Sequence, residues 1–401
     1  MNLFFFIYQQ IEFNNYFSVA TELKKKNKEI NIFFVFTNKE KFKLITKNKL
    51  FSAFLKKNFK LIILKSSNKL LIQRANTLLN LIILLKRIFS YKNKKMFLFP
   101  SIKKRDNKLI FYALKFLKIN VSFLSPDKFV QKSSMMPEFQ WKTKLDFTQK
   151  DVDNYNKLFF YHAENRIYKT IKKLSNKNSK KLATIGLPDK YENWVKYINQ
   201  CAQKVQSKLK RKFKNYSSIY TIVGGKDLDY RMLSNKNSQF NSLNKIVRFL
   251  FKFDQKCIIL FKKHPRNLSP EYLKKFRKEF NSNRFISTTT SLDILSKVSK
   301  RFFYLSPTAS LTEITDTKKI DCSDIKKNNL ERYKKKILGY NVIHFSFEGK
   351  NMYKNLKKIT HDDSFFNKKK IFFKERDLIK KNPPLTEKLL ENLNYENKKQ
   401  D

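Results

Sequence analysis

The chain alternates short, unbroken apolar runs with longer stretches in which apolar residues return every three or four positions. Leu3–Tyr8, Ile30–Phe36, Leu61–Leu64, Met96–Phe99 and Asn120–Leu124 are of the first kind. They are apolar on both faces, as a strand buried on both sides of a parallel sheet requires. Between them, Tyr16–Lys26, Lys41–Phe54, Leu70–Phe89 and Lys108–Leu117 carry the helical period. Such alternation predicts βαβ crossovers. The rhythm lapses from Ser125 to Asp153, where Pro126, Pro137 and Ser133-Ser-Met-Met136 read as a loop. Asp153–Leu174 then reads as one long helix, Leu182–Pro188 as a strand ending in a Gly/Pro turn, and Tyr191–Lys214 as a second helix. From Ser217 the alternation restarts, with strands Ile219–Val223, Cys257–Phe261, Arg284–Ser287, Phe302–Leu305 and Val342–Phe345. Helices Leu243–Phe253, Pro270–Phe280 and Leu292–Val298 fall between them. After about Lys357 the chain is charged and loop-like, and Pro383-Pro384 with Asn392–Asp401 points to a terminal tail. The pattern predicts two α/β blocks joined near residue 215.

Composition adds constraints. A chain of 401 residues that is 41% hydrophobic has enough material for two domains with cores of their own. Its 87 Lys and Arg against 33 Asp and Glu give a formal charge of +54. The excess is mostly Lys and is spread along the whole chain among Asn, Ile and Phe. Specific nucleic-acid binding, which relies on Arg for bidentate base contacts, is therefore not expected. Solvated lysine faces and peripheral association with an anionic inner-membrane surface remain. Cys201, Cys257 and Cys322 are far apart and form no CxxC pair, which argues against a disulfide framework or zinc site and for a reducing cytoplasm. The Met1–Tyr8 run is too short for a signal segment and lacks a basic start. Polar residues such as Gln73, Asn76 and Asn80 interrupt Leu70–Phe89 before it reaches membrane length. A cytoplasmic protein, soluble or peripheral at the inner membrane, is the expectation.

Three blocks follow predicted strands. Val223-Gly-Gly-Lys-Asp227 sets Gly224 and Gly225 at a strand end in a chain with only 5 glycines. The pair lets backbone approach a ligand or simply makes a tight turn, and it matches neither GxGxxG nor a Walker sequence. Lys262-Lys-His-Pro-Arg266 follows Cys257–Phe261. Lys263, His264 and Arg266 would give a phosphate charge-assisted partners, and Pro265 holds the loop extended. Ser306-Pro-Thr-Ala-Ser-Leu-Thr-Glu313 opens into a helix start, where Thr308, Ser310 and free amides suit an anion. Glu313 either serves the first turn of that helix or accepts from a ribose hydroxyl. Strand ends bearing His/Arg and hydroxyls together describe a phosphate site. No GxSxG and no metal-ligand cluster occur. Asp151-Val-Asp153 and Asp227-Leu-Asp229 match a DxD pair only formally, so no metal is assigned. For a general base, His162 and Glu164 in Phe159–Arg166 compete with Glu12, just past the first strand, and a purely structural role for the first two is the other reading.

Lys263-His-Pro-Arg266 followed by Ser306–Glu313 resembles bacterial surface and capsular polysaccharide glycosyltransferases of the GT-B fold, notably their sialyltransferase- and Kdo-transferase-like groups. Ile185-Gly-Leu-Pro-Asp-Lys-Tyr-Glu-Asn-Trp194 is similar to the Gly-x-Pro…Trp segment that precedes the donor domain there. The resemblance covers roughly Ser179–Phe345; the Asp/Glu-Asp/Glu-Gly motif of many sialyltransferases is missing. It implies two Rossmann-type α/β domains facing across a cleft: an acceptor-side domain over 1–178, an interdomain segment over 179–215, a nucleotide-sugar-binding domain over 216–356, and a helix or tail over 357–401. It also implies a metal-independent transferase without a further cofactor. The donor would be a CMP-activated acidic sugar, and the acceptor a surface polysaccharide or lipid-linked glycan of capsule or lipopolysaccharide biosynthesis. A polyol-phosphate transferase, a sugar-nucleotide epimerase of the same fold and a basic nucleic-acid-binding protein are the alternatives.

Overall fold

The computed structural model describes residues 1–8, 10–37, 39–65, 70–91, 95–100, 108–125, 148–161, 163, 166–174, 179–187, 191–224, 238–262, 278–279, 283–305, 318–324, 342–348 and 351–367. Two compact units emerge, one of Met1–Lys196 and one beginning at Tyr197. The first holds a sheet of β1 (Asn2–Ile7), β2 (Asn31–Phe36), β3 (Lys60–Ile63), β4 (Lys95–Phe99), β5 (Asn120–Leu124), β6 (Leu158–Phe160) and β7 (Leu182–Thr184). Its order is β3-β2-β1-β4-β5-β6-β7, and every pairing is parallel. The second holds β8 (Ile219–Val223), β9 (Ile258–Lys262), β10 (Phe285–Ser287), β11 (Arg301–Tyr304), β12 (Lys319–Asp321) and β13 (Val342–His344), in the order β10-β9-β8-β11-β12-β13. These pairings are parallel too. The α/β class read from the sequence, with two sheets of Rossmann type, is the observed one.

In-register parallel pairing explains the core of the first sheet. Phe4 stands opposite Phe33 on β2 and Phe97 on β4, so like side chains meet ring to ring. The ring centroids lie 4.4 and 4.3 Å apart, nearly coplanar in orientation, and Phe6 stacks on Phe99 at 4.2 Å. Beside these columns the helix Gln10–Lys26 packs Phe13 and Phe17 on the opposite face, against Phe34. Its Glu22, only 2% exposed, accepts from the backbone N–H of Asn193 (2.9 Å) and from that residue's side-chain amide (3.2 Å). A buried carboxylate thus caps the helix Glu192–Lys212 from outside. Trp194 in the next position is buried against Phe17 and Phe51.

Several expectations are corrected. The proposed helix Asp153–Leu174 is three elements: a short helix Gln149–Asp153, strand β6, and a helix Arg166–Leu174. Val152, Tyr155 and Phe159 happen to recur at helical spacing, yet Leu158–Phe160 is fully buried and pairs with both β5 and β7. Continuous burial, not period, decides it. Of the formal DxD pair, Asp151 stands in the first turn of the short helix and forms a capping box with Thr148, while Asp153 is the last residue of that helix and pairs with Lys181 at 3.6 Å. Lys41–Phe54 divides into helices Lys39–Thr46 and Lys49–Asn58, because Asn48 caps the second. Strand β12 was not foreseen, and around the charged stretch beginning near Lys357, for which a helix and a tail were both open, stand helices Met352–His361 and Ser364–Asn367. Of Pro270–Phe280 only Lys278 and Glu279 are described. The three cysteines are free and buried, and burial pushes the Cys257 thiol up to about 12.

Candidate functional site

In an open parallel sheet the connections turn to opposite faces where the strand order reverses, leaving a crevice at the carboxyl ends. In the second unit that reversal lies between β8 and β11. The strand ends there are tied flush. Gly224 N–H donates to the Lys262 carbonyl at 2.9 Å, Leu305 N–H to Val223 at 3.0 Å, and Cys322 N–H to Tyr304 at 2.8 Å. The three blocks singled out in the sequence therefore begin on neighbouring strands. Gly224 leaves β8, residue 263 follows β9, and residue 306 follows Leu305 at the end of β11, with β8 between the other two.

Gly224 is buried, and its amide is committed to the β8–β9 ladder rather than offered to a ligand. Lys262, a basic neighbour of the His-Pro block, turns toward the connection after β10. Its Nζ donates to the Thr290 carbonyl at 2.6 Å, and Thr288 Oγ1 donates to Thr290 Oγ1 at 2.9 Å. Gly225, Lys263, His264, Pro265, Arg266, Thr308, Ser310 and Glu313 lie outside the described residues. So do His162 and Glu164, which fall in sequence between β6 and helix Arg166–Leu174. Glu12 falls in the first turn of Gln10–Lys26, just past β1 and beside the β1/β4 reversal of the first sheet. In the Ile185–Trp194 segment, Gly186 takes φ 76, the left-handed turn that favours glycine. The Tyr191 hydroxyl donates to the carbonyls of Ile185 (3.0 Å) and Gly186 (3.1 Å), tying Tyr191 back to the backbone just past β7.

Farther along the same carboxyl edge lies a cluster that sequence reasoning missed. Asp321, at the end of β12, is wholly buried; its Oδ2 stands 2.7 Å from His344 Nδ1 at the end of β13, where an imidazole N–H donates to the carboxylate. Asp321 Oδ1 accepts the Ser323 hydroxyl at 2.5 Å. The backed imidazole borders a cavity of about 290 Å³, lined among the described residues by His344, Phe345, Ser346, Asn355, Lys358, Ile359 and Phe365. No local pattern announces a pair 23 residues apart. The available signal is that Asp321 and His344 each close a short strand at the sheet's carboxyl edge. Among the described residues no three of His, Cys, Asp and Glu gather as a metal-binding group.

No protein-family model matches the chain, and neither does any curated protein. Solved structures do. A UDP-GlcNAc 2-epimerase from Methanocaldococcus jannaschii aligns with 90% of this chain and 94% of its own, at 12% identity and a TM-score of 0.54. The UDP-GlcNAc 2-epimerase of Neisseria meningitidis, solved bound to UDP-GlcNAc, gives 92%, 93%, 12% and 0.54. Phytolacca americana UGT2, complexed with UDP-2-fluoro-glucose and pterostilbene, gives 98%, 99%, 9% and 0.52. At such identities the likeness is one of fold, and it is the GT-B-like α/β fold expected from the sequence.

Proposed function

We propose that the chain is a glycosyltransferase that takes its sugar from a nucleotide donor held by the second unit. The observation that carries this reading is the convergence of strand ends: the Gly-Gly, His-Pro and Ser/Thr blocks all start on adjacent strands at the reversal in strand order. In this reading His264, Arg266 and Ser310, with Lys263, Thr308 and the extended turn at Pro265, hold the donor phosphates as charge develops on the leaving group. Gly225 keeps the backbone close to the ligand, and Glu313 accepts from the ribose. A base from the first unit, Glu12, His162 or Glu164, deprotonates the acceptor hydroxyl. The resemblance of the His-Pro and Ser/Thr blocks to GT-B surface-polysaccharide transferases points to a CMP-activated acidic sugar, and to a surface polysaccharide or lipid-linked glycan as acceptor. Likeness in fold to the two UDP-GlcNAc 2-epimerases supports a second reading, in which a nucleotide sugar is consumed with no acceptor.

Thermal unfolding of the purified protein with CMP, CDP, UMP and UDP separates these possibilities, since a ligand that binds only the native state raises its stability. At a concentration about a hundred times its dissociation constant, the right nucleotide adds about 2.7 kcal/mol. The expected result is a shift with one base that His264→Ala abolishes. Turnover of the matching nucleotide sugar without acceptor would select the epimerase. No shift with any nucleotide would overturn the donor site.

A further inference from the structure

Helices Leu70–Phe89 and Lys108–Phe116 cross over between β3, β4 and β5 and pack against one another. Their inner faces are ordinary core: Leu84, Ile88, Ile110, Phe111 and Leu114 are buried. Their outer faces are not an ordinary surface. Leu78, Ile82, Phe89, Leu109, Tyr112 and Phe116 are all exposed, Phe89 at 68% and Phe116 at 87%. The spacing 78-82-89 on one helix and 109-112-116 on the other makes two adjacent apolar stripes. Meanwhile Asn80, a polar side chain of the first helix, turns inward, where its amide accepts from Lys65 N–H (2.8 Å) and donates to the Lys65 carbonyl (2.7 Å). Helices that carry apolar residues on the outer face as well as the buried one leave an exposed apolar patch that favours a medium other than water.

Charge says which medium. Neither helix contains a carboxylate, and between Glu40 and Asp127 the sole acidic residue is Asp106. Lys86, Arg87 and Lys118 lie exposed around the stripes. No helix among the described residues is long and apolar enough to cross a membrane, so the contact is with its surface. We propose that this two-helix face docks the protein on an anionic lipid bilayer, with Ile82, Phe89 and Phe116 entering the headgroup boundary and the lysines facing lipid phosphates.

The test is co-sedimentation of the full chain with vesicles of phosphatidylcholine, alone or mixed with phosphatidylglycerol, using wild type and the double variant Ile82→Asp/Phe116→Asp. Both positions are exposed, so the fold should hold, which circular dichroism checks. The expected result is binding to the anionic vesicles only, weakened roughly tenfold or more in the double variant. Equal binding by wild type and variant would overturn the proposal in favour of diffuse lysine attraction. So would wild type that ignores anionic vesicles, or wild type that dimerises through the patch while the variant stays monomeric. None of these readouts uses enzymatic activity, so they stand apart from the donor-site reading.

Discussion

Lys118 holds a backbone conformation that its side chain disfavours. It follows helix Lys108–Phe116 with φ 54, and the N–H of Ile119 reaches back to the Leu114 carbonyl while that of Lys118 reaches Lys115. These two bonds form the closing turn that glycine usually supplies. For a residue with a Cβ the left-handed region costs roughly 1–2 kcal/mol. Asn215, at φ 58, belongs to a type that tolerates it better. Lys118→Gly should therefore stabilise the protein by about 0.5–1 kcal/mol, after allowing for the freer unfolded chain. Urea denaturation would show it as a higher midpoint with an unchanged slope; a lower midpoint would mean that the lysine side chain contributes more than its backbone costs.

At the scale of elements, the helical turn Ser364–Asn367 is tied to the second sheet through Asp363. Arg301, the first residue of β11, is buried; it pairs with Asp363 at 2.5 Å and lies over the Phe366 ring at 5.3 Å. Lys318, just before β12, binds the other carboxylate oxygen. The hydrogen bond from Lys318, with help from Arg301, holds the Asp363 carboxyl below the usual carboxylate range against the opposing effect of burial. A lowered native value contributes stability above the unfolded carboxyl value near 3.9, and that contribution is lost as pH falls through the native value. Asp363→Asn should cost about 1–2 kcal/mol at neutral pH, the lower part of the range for stranding a buried donor, because Asp363 is itself exposed. The variant should also show a shallower loss of stability below about pH 4 than wild type. Superimposable pH profiles would remove Asp363 from that role. Elements differed in how readily the sequence disclosed them. The Phe- and Ile-rich strands were legible because burial on both faces leaves no polar position. Lys319-Ile-Asp321 was not, because a three-residue strand with a charge at each end looks like loop until Ser323 and His344 are seen to pair with Asp321. The starts of the three phosphate-type blocks were legible for a local reason: each follows an apolar run directly. The Asp321–His344 pair is made by tertiary structure alone.

For the molecule as a whole, a formal charge of +54 sets a condition on stability. Like charges repel more in the compact state than in the expanded one, and salt weakens that repulsion. Between about 0.01 and 0.1 M salt the screening length falls from roughly 30 to roughly 10 Å, so the unfolding temperature should rise over this range without any ligand. A flat response in scanning calorimetry would mean that the lysines are already neutralised by local partners. The stacked rings of Phe4, Phe33, Phe97, Phe6 and Phe99 bear on how many sequences one fold can accept. A column of this kind asks each strand only for a flat apolar group at a shared register, and a core accepts many simultaneous exchanges when volume and pattern are kept. A core can therefore be built largely from one residue type, as with the 40 phenylalanines of this chain, while the fold is kept. That is how 12% identity and 90% coverage coexist on one fold.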